Sequence, residues 1–136
     1  MKIAVLALLA SATPLLANPV GAPPVTADYF SVNPNVHWPD ANSASPRNGT
    51  FVPRQNIVMV HAGMTKQQIY PLLNVPNFSE GFFVRHWNYL LNIKIGGQSD
   101  IKQCQIQINF DRHARVTAVV WQEQICLDNV REHSTK

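Results

Sequence analysis

From Pro53 onward, the pattern of apolar and polar positions has one period for helices and then another for strands. Between Pro53 and Val60 the apolar residues Ile57, Val58 and Val60 suit a short helix, opened by a proline that a first helical turn tolerates. Ala62-Gly63 ends it, because glycine takes the left-handed turn beyond a helix at least cost. Thr65 opens a second helix. Thr65-Lys66-Gln67-Gln68 has capping-box spacing, in which the glutamine side chain reaches back to the threonine amide. Ile69, Leu72 and Leu73 form its apolar stripe, and Val75-Pro76 closes it. Pro71 lies inside this helix and predicts a kink or a tightened last turn, costing about 3 kcal/mol unless packing offsets it.

After a loop from Asn77 to Phe83 the period falls to two. Trp87, Tyr89, Leu91, Ile93 and Ile95 share one face, and Asn88, Asn92 and Lys94 the other. Gly96-Gly97-Gln98-Ser99-Asp100 reads as a hairpin loop. Cys104, Ile106, Ile108 and Phe110 then alternate with Gln103, Gln105, Gln107 and Asn109. Asp111-Arg112-His113-Ala114 turns the chain into a third strand, Val116 to Trp121. These elements predict an α+β domain in two layers, ordered helix–helix–strand–strand–strand. Its sheet is an antiparallel three-stranded meander with one polar and one apolar face, and the two helices cover the apolar one.

The segment upstream has neither period. Eight of the ten prolines fall between Pro14 and Pro53, where they block ladders and helices. Met1-Lys2, the apolar run Ile3 to Leu9 and the small residues up to Ala17 read as a secretory signal peptide. No cysteine lies near the cleavage region, so it offers no lipobox. The expected division is a signal peptide over 1–17, an extended proline-rich arm over 18–50, the folded domain over 51–130 and a polar tail over 131–136. Tyr29, Phe30, Val36 and Trp38 make the arm too apolar for a solvated linker and suggest a strap lying against the domain.

Composition narrows the classes. Of 136 residues, 46% are hydrophobic and 14% charged, a balance unlike that of a disordered tail or a coiled coil. No apolar run reaches the roughly 20 residues of a membrane-crossing helix. The net charge of +3 is mild, and Lys94, Lys102, Arg112 and Arg115 are dispersed, which argues against nucleic acid as a partner. Two cysteines in an exported protein read as a disulfide, Cys104 to Cys126, worth about 3 kcal/mol in the chain-entropy model. The alternative is a reactive thiol, but neither cysteine lies in a C-x-x-C motif.

Catalytic and metal chemistry have little to stand on. His37, His61, His86, His113 and His133 show no ligand spacing, the eight acidic residues form no acid–base pair, and no cofactor is expected. One loop stands out as a surface. Phe78-Ser79-Glu80-Gly81-Phe82-Phe83 gathers three phenylalanines around a glycine, which either cap the open end of the core or meet a partner. The candidate partner contacts are Phe78, Glu80, Phe82, Phe83 and Arg85.

An ordered set of motifs resembles the SmpA/OmlA family, the BamE-type domain. Gly63-Met64-Thr65-Lys66-Gln67-Gln68-Ile69-Tyr70, then Leu72-Leu73, Pro76 and Phe78-Ser79-Glu80-Gly81 carry its first half. Val84-Arg85-His86-Trp87-Asn88-Tyr89-Leu90-Leu91-Asn92, Cys104-Gln105, Phe110-Asp111, Arg115-Val116 and Trp121 carry the second. Trp38-Pro39-Asp40, Gly49-Thr50-Phe51 and the cysteine pair are closest to the branch found ahead of OmpA-family peptidoglycan-binding domains. The resemblance implies the two-layer fold and a non-enzymatic scaffold of the Gram-negative envelope. Such a scaffold would be periplasmic, peripheral to the outer membrane, and would act through an envelope protein partner, with lipid head groups as a second class of contact. An exported inhibitor of a hydrolase, similar to β-lactamase inhibitor domains, is the alternative. The sequence departs from the family at Pro71, at Asn74-Val75 before Pro76, and at His86 and Asn88, where relatives tend to carry acids. Neither the family's lipid anchor nor the nearest branch's OmpA-like domain is expected from these residues.

Overall fold

The computed structural model describes residues 29–78, 84–95 and 100–132. The expected signal peptide, much of the hairpin loop and the last residues lie outside them. At the centre, β3 (His86–Lys94) and β4 (Ile101–Phe110) pair antiparallel without a break from His86↔Asn109 to Lys94↔Ile101. β5 (Val116–Trp121) adds antiparallel to β4, with a bulge between Asn109 and Phe110. These are the three strands the alternation predicts.

The sheet, however, is not a three-stranded meander. It has five strands in the order β1-β5-β4-β3-β2 and is mixed. β1 (Phe30–Val32) runs parallel to β5, and β2 (Thr50–Phe51) runs parallel to β3. β1 lies in the segment expected to be an extended arm, and β2 straddles the expected boundary, with Thr50 in the arm and Phe51 at the start of the folded domain. Parallel neighbours need long connections, so these strands pair with residues far away in sequence. Strands of two and three residues are also too short to show a period of their own.

Among the described residues three α-helices, rather than two, cover the apolar face. α1 (Arg54–Val58) follows Pro53, and α2 (Lys66–Leu73) starts at Thr65 with both hydrogen bonds of the capping box. α2 continues through Pro71 to Leu73, and Asn74 ends it at φ 64°. Tyr89 fixes that end by donating its hydroxyl proton to the Asn74 carbonyl at 3.0 Å. α3 (Gln124–Glu132) is the unexpected helix, and it buries Cys126, Leu127 and Val130. The core joins these to Ile57, Ile69 and Leu73 from α1 and α2 and to Tyr89, Leu91, Ile93, Ile106, Ile108 and Trp121 from the sheet. A disulfide between Cys104 and Cys126, closing a separation of 22 residues, ties α3 to β4. In the chain-entropy model that closure is worth about 3 kcal/mol, a large share for a core of this size.

The opposite face is not simply polar and wet. Leu90 projects from it into a second apolar cluster with Ala44 and Phe78. Asn88 and Gln107 are buried beside that cluster and satisfy each other, the glutamine amide donating to the asparagine oxygen at 3.2 Å. The strap supplies the cover. Asn48 accepts from Asn92 at 2.7 Å and from Gln103 at 3.3 Å, both through its carbonyl. Gly49 lies close against β3 at φ +80°.

A Cβ on Gly49 would lie 2.8 Å from the Leu90 carbonyl oxygen, and 3.3 Å from the Asn92 amide nitrogen. Gly63 also has positive φ, at +91°, but nothing lies within 4 Å of its notional Cβ. Urea denaturation should therefore rank Gly49→Ala well below Gly63→Ala. The Gly63 change carries backbone strain of about 1 kcal/mol, and the Gly49 change adds a steric clash to a similar strain. Equal losses would mean that the strap does not press on β3.

Candidate functional site

Three parts of the chain meet at one end of the sheet: the start of α2, the entry into β3 at Val84-Arg85, and the β4–β5 turn. Residues 63–65 hold them together. The Gly63 amide donates to the Val116 carbonyl at 2.8 Å and the Val116 amide to the Met64 carbonyl at 2.9 Å, beside a bridge between Thr65 and Arg115. The Phe110 amide donates to the Arg85 carbonyl at 2.7 Å, which fixes Arg85 against the end of β4. Between these parts lies an open cleft of about 480 Å³, lined by Lys66, Tyr70, Arg85, Phe110, Asp111 and Arg112 among others.

The floor of the cleft is aromatic. Tyr70 and Trp87 have ring centroids 5.1 Å apart, and Trp87 meets Phe110 edge to face at 5.2 Å. Trp87 and Phe110 are buried, whereas Tyr70 keeps 41% of its surface exposed. Lys66, in the first turn of α2, lies over this floor. Its ammonium is 5.1 Å from the Trp87 centroid and 4.9 Å from the Phe110 centroid, and it donates to the Val84 carbonyl at 3.3 Å. Ring quadrupoles attract a cation at such distances, so the ammonium is held in place without a carboxylate.

The turn shapes the far wall. Ala114 takes φ 59°, a conformation an alanine adopts only where its surroundings enforce it. The enforcing group is Asp111, whose carboxylate accepts from the His113 amide at 2.8 Å and the Arg115 amide at 3.0 Å. The Arg115 amide is the main reason the Asp111 carboxyl titrates below its ordinary value of 3.8. Partial burial opposes that shift, and the His113 amide adds to it. Arg115 is turned away, donating to the Gly63 carbonyl at 3.1 Å, while Arg112 stays at the rim.

The structure separates the residues singled out in the sequence. Arg85 is exposed and lines the cleft. Phe78 is 7% exposed and packs with Ala44 and Leu90 on the other face. Glu80, Phe82 and Phe83 lie outside the described residues. Cys104 and Cys126 are bonded to each other. Sequence reading did not identify Lys66, Tyr70, Phe110 and Arg112 as one site. The available hint was Lys66 and Tyr70, four residues apart and so neighbours on one helix face.

These residues assemble a concave surface that is cationic at its rim and aromatic at its base, on one end of a small α+β domain. Among the described residues no three His, Cys, Asp or Glu side chains are placed to hold a metal, and no helix is long and apolar enough to cross a membrane. The model of the outer membrane protein assembly factor BamE domain matches residues 49–119, and the chain belongs to that family. A relative from Polynucleobacter necessarius subsp. necessarius (strain STIR1), an outer membrane protein assembly factor BamE, is 25% identical over 63 residues. That alignment covers 46% of this chain and 28% of the relative, less than a third of the relative's length. The family match takes in β2 through most of β5, so β1 and α3, with Cys126, lie outside it.

Asp111 makes the turn sensitive to acid in a defined direction. A depressed folded-state pKa contributes stability that is present above the ordinary carboxylate range and lost as pH falls through the lower, folded value. Amide exchange followed by NMR should show the His113 and Arg115 amides losing protection in that acid window. Asp111→Asn should remove the pH dependence at those two amides. Persistence of the same acid step in the variant would assign it to another group.

Proposed function

We propose that this chain is a non-enzymatic binding and scaffolding module on the periplasmic side of the Gram-negative outer membrane. It acts through protein–protein contacts in the assembly of outer-membrane proteins. The observation that carries this reading is the concave end of the sheet, where side chains suited to contact converge on an accessible cleft. Membership of the BamE family supports the assembly role and the location in the envelope. The partner contact runs through the 78–85 segment. Phe78 anchors that segment to the strap-covered face, Arg85 joins the cleft, and Glu80, Phe82 and Phe83 meet the partner.

Crosslinking of the full chain in its native envelope tests this. Phe82→Ser with Phe83→Ser, and separately Arg85→Glu, should each reduce capture of outer-membrane assembly components by about tenfold, the scale of a lost interface anchor. Circular dichroism should remain that of the unaltered chain. Undiminished capture in all variants, or capture confined to unrelated envelope proteins, would overturn the proposal.

A further inference from the structure

The charge pattern of the cleft points to the chemistry of what enters it. Lys66, Arg85 and Arg112 share the cleft with a single carboxylate, Asp111, whose Oδ1 already accepts from two backbone amides. Among the described residues the ion pair is Lys102–Glu123, on β4 and just beyond β5, and no cleft cation takes part in one. Lys66 makes one hydrogen bond, to Val84, which leaves most of its donor capacity available. Three cations without carboxylate partners converge over exposed Tyr70 and the Phe110 floor.

Building on the binding role proposed above, we infer that the cleft receives an extended, acidic segment of a partner protein that also carries an aromatic side chain. A carboxylate of that segment meets the Lys66 ammonium and the Arg85 and Arg112 guanidinium groups. The ring of the residue two positions along, on the same face of the extended chain, lies against exposed Tyr70. An extended peptide suits the shape because alternate side chains project from one face, so residues two apart can descend together between the walls. A bilayer fits less well. Its phosphates would reach Arg85 and Arg112 at the rim, but the Lys66 ammonium lies inside, over buried rings. Complementary charge fixes orientation and raises the association rate, while the ring supplies the desolvated anchor.

Fluorescence anisotropy with the full, disulfide-bonded chain tests this with labelled octapeptides. The first repeats Glu-Ser-Phe-Ser, which sets its glutamates and phenylalanines on one face, the second has glutamine for glutamate, and the third serine for phenylalanine. The first peptide should bind about tenfold or more tightly than either control and weaken with rising salt. Arg85→Gln combined with Arg112→Gln should reduce its binding by about tenfold or more, and both residues are exposed, so the fold should be retained. Lys66→Gln should weaken it independently. Equal binding of the glutamine peptide, or no effect of the arginine changes, would overturn the inference. So would binding of phosphatidylglycerol vesicles, against phosphatidylcholine controls, without binding of the acidic peptide. If peptide binding fails while envelope capture persists, the acidic-segment inference falls and the scaffolding role stands. If capture fails while the peptide binds, the reverse holds.

Discussion

One buried asparagine side chain sets the relation between the strap and the sheet. Asn77 is 1% exposed, and each part of its carboxamide is used. Its oxygen accepts from the Leu90 amide at 2.9 Å, and its nitrogen donates to the Thr50 hydroxyl at 2.9 Å. Its own carbonyl accepts from the Ser45 amide at 2.6 Å. β2 reaches only the register of Leu91 and Asn92, so the Leu90 amide would otherwise face a missing strand. An unsatisfied buried amide costs about 1–3 kcal/mol, and Asn77 removes that cost by acting as a one-residue extension of the ladder. The same residue immediately precedes Phe78 and so directs its ring into the cluster with Ala44 and Leu90.

The central hairpin is therefore buried on both faces, which explains why the clean alternation of β4 does not produce one wet face. Gln105 and Gln107 occupy the positions that the sequence marks as polar, yet they are 8% and 9% exposed. The amide of Gln107 offsets its burial by pairing with Asn88, whereas the side-chain oxygen of Gln105 is buried without a hydrogen-bond partner, a desolvation cost the packing must absorb. The strap thus converts an exposed antiparallel surface into an interior one without adding a long apolar segment. It does so with backbone carbonyls, a glycine set close against β3 and one small apolar cluster.

What the sequence made legible follows from the range of each interaction. β3, β4, β5 and the capping box of α2 depend on residues a few positions apart, and their patterns can be read directly. β1 and β2 pair in parallel with distant strands and are two or three residues long, so nothing local marks them. α3 hides for a different reason. Its buried residues Cys126, Leu127 and Val130 form a narrow stripe in an otherwise polar stretch, and the cysteine drew attention as a disulfide partner alone. The cleft was the least legible feature. Lys66 and Arg85 are separated by α2 and the segment after it, and Arg85 and Arg112 by β3 and β4, so the register of β3 on β4 and the 63–65 bridge bring them to one place.

That dependence makes the cleft a property of the fold's closure and not of any one loop. Each cation comes from a different element, and each element is fixed by backbone hydrogen bonds that use no cation: Gly63 and Met64 with Val116, Phe110 with Arg85, and the Asp111 turn closed on itself. Substituting a side chain at the rim changes charge while those bonds remain. Loosening the Asp111 turn or the 63–65 bridge would instead separate the walls, with every cation still present. The charge and the geometry of the site are thus carried by separate sets of interactions. A small domain can therefore vary what its cleft attracts without rebuilding the sheet that forms it.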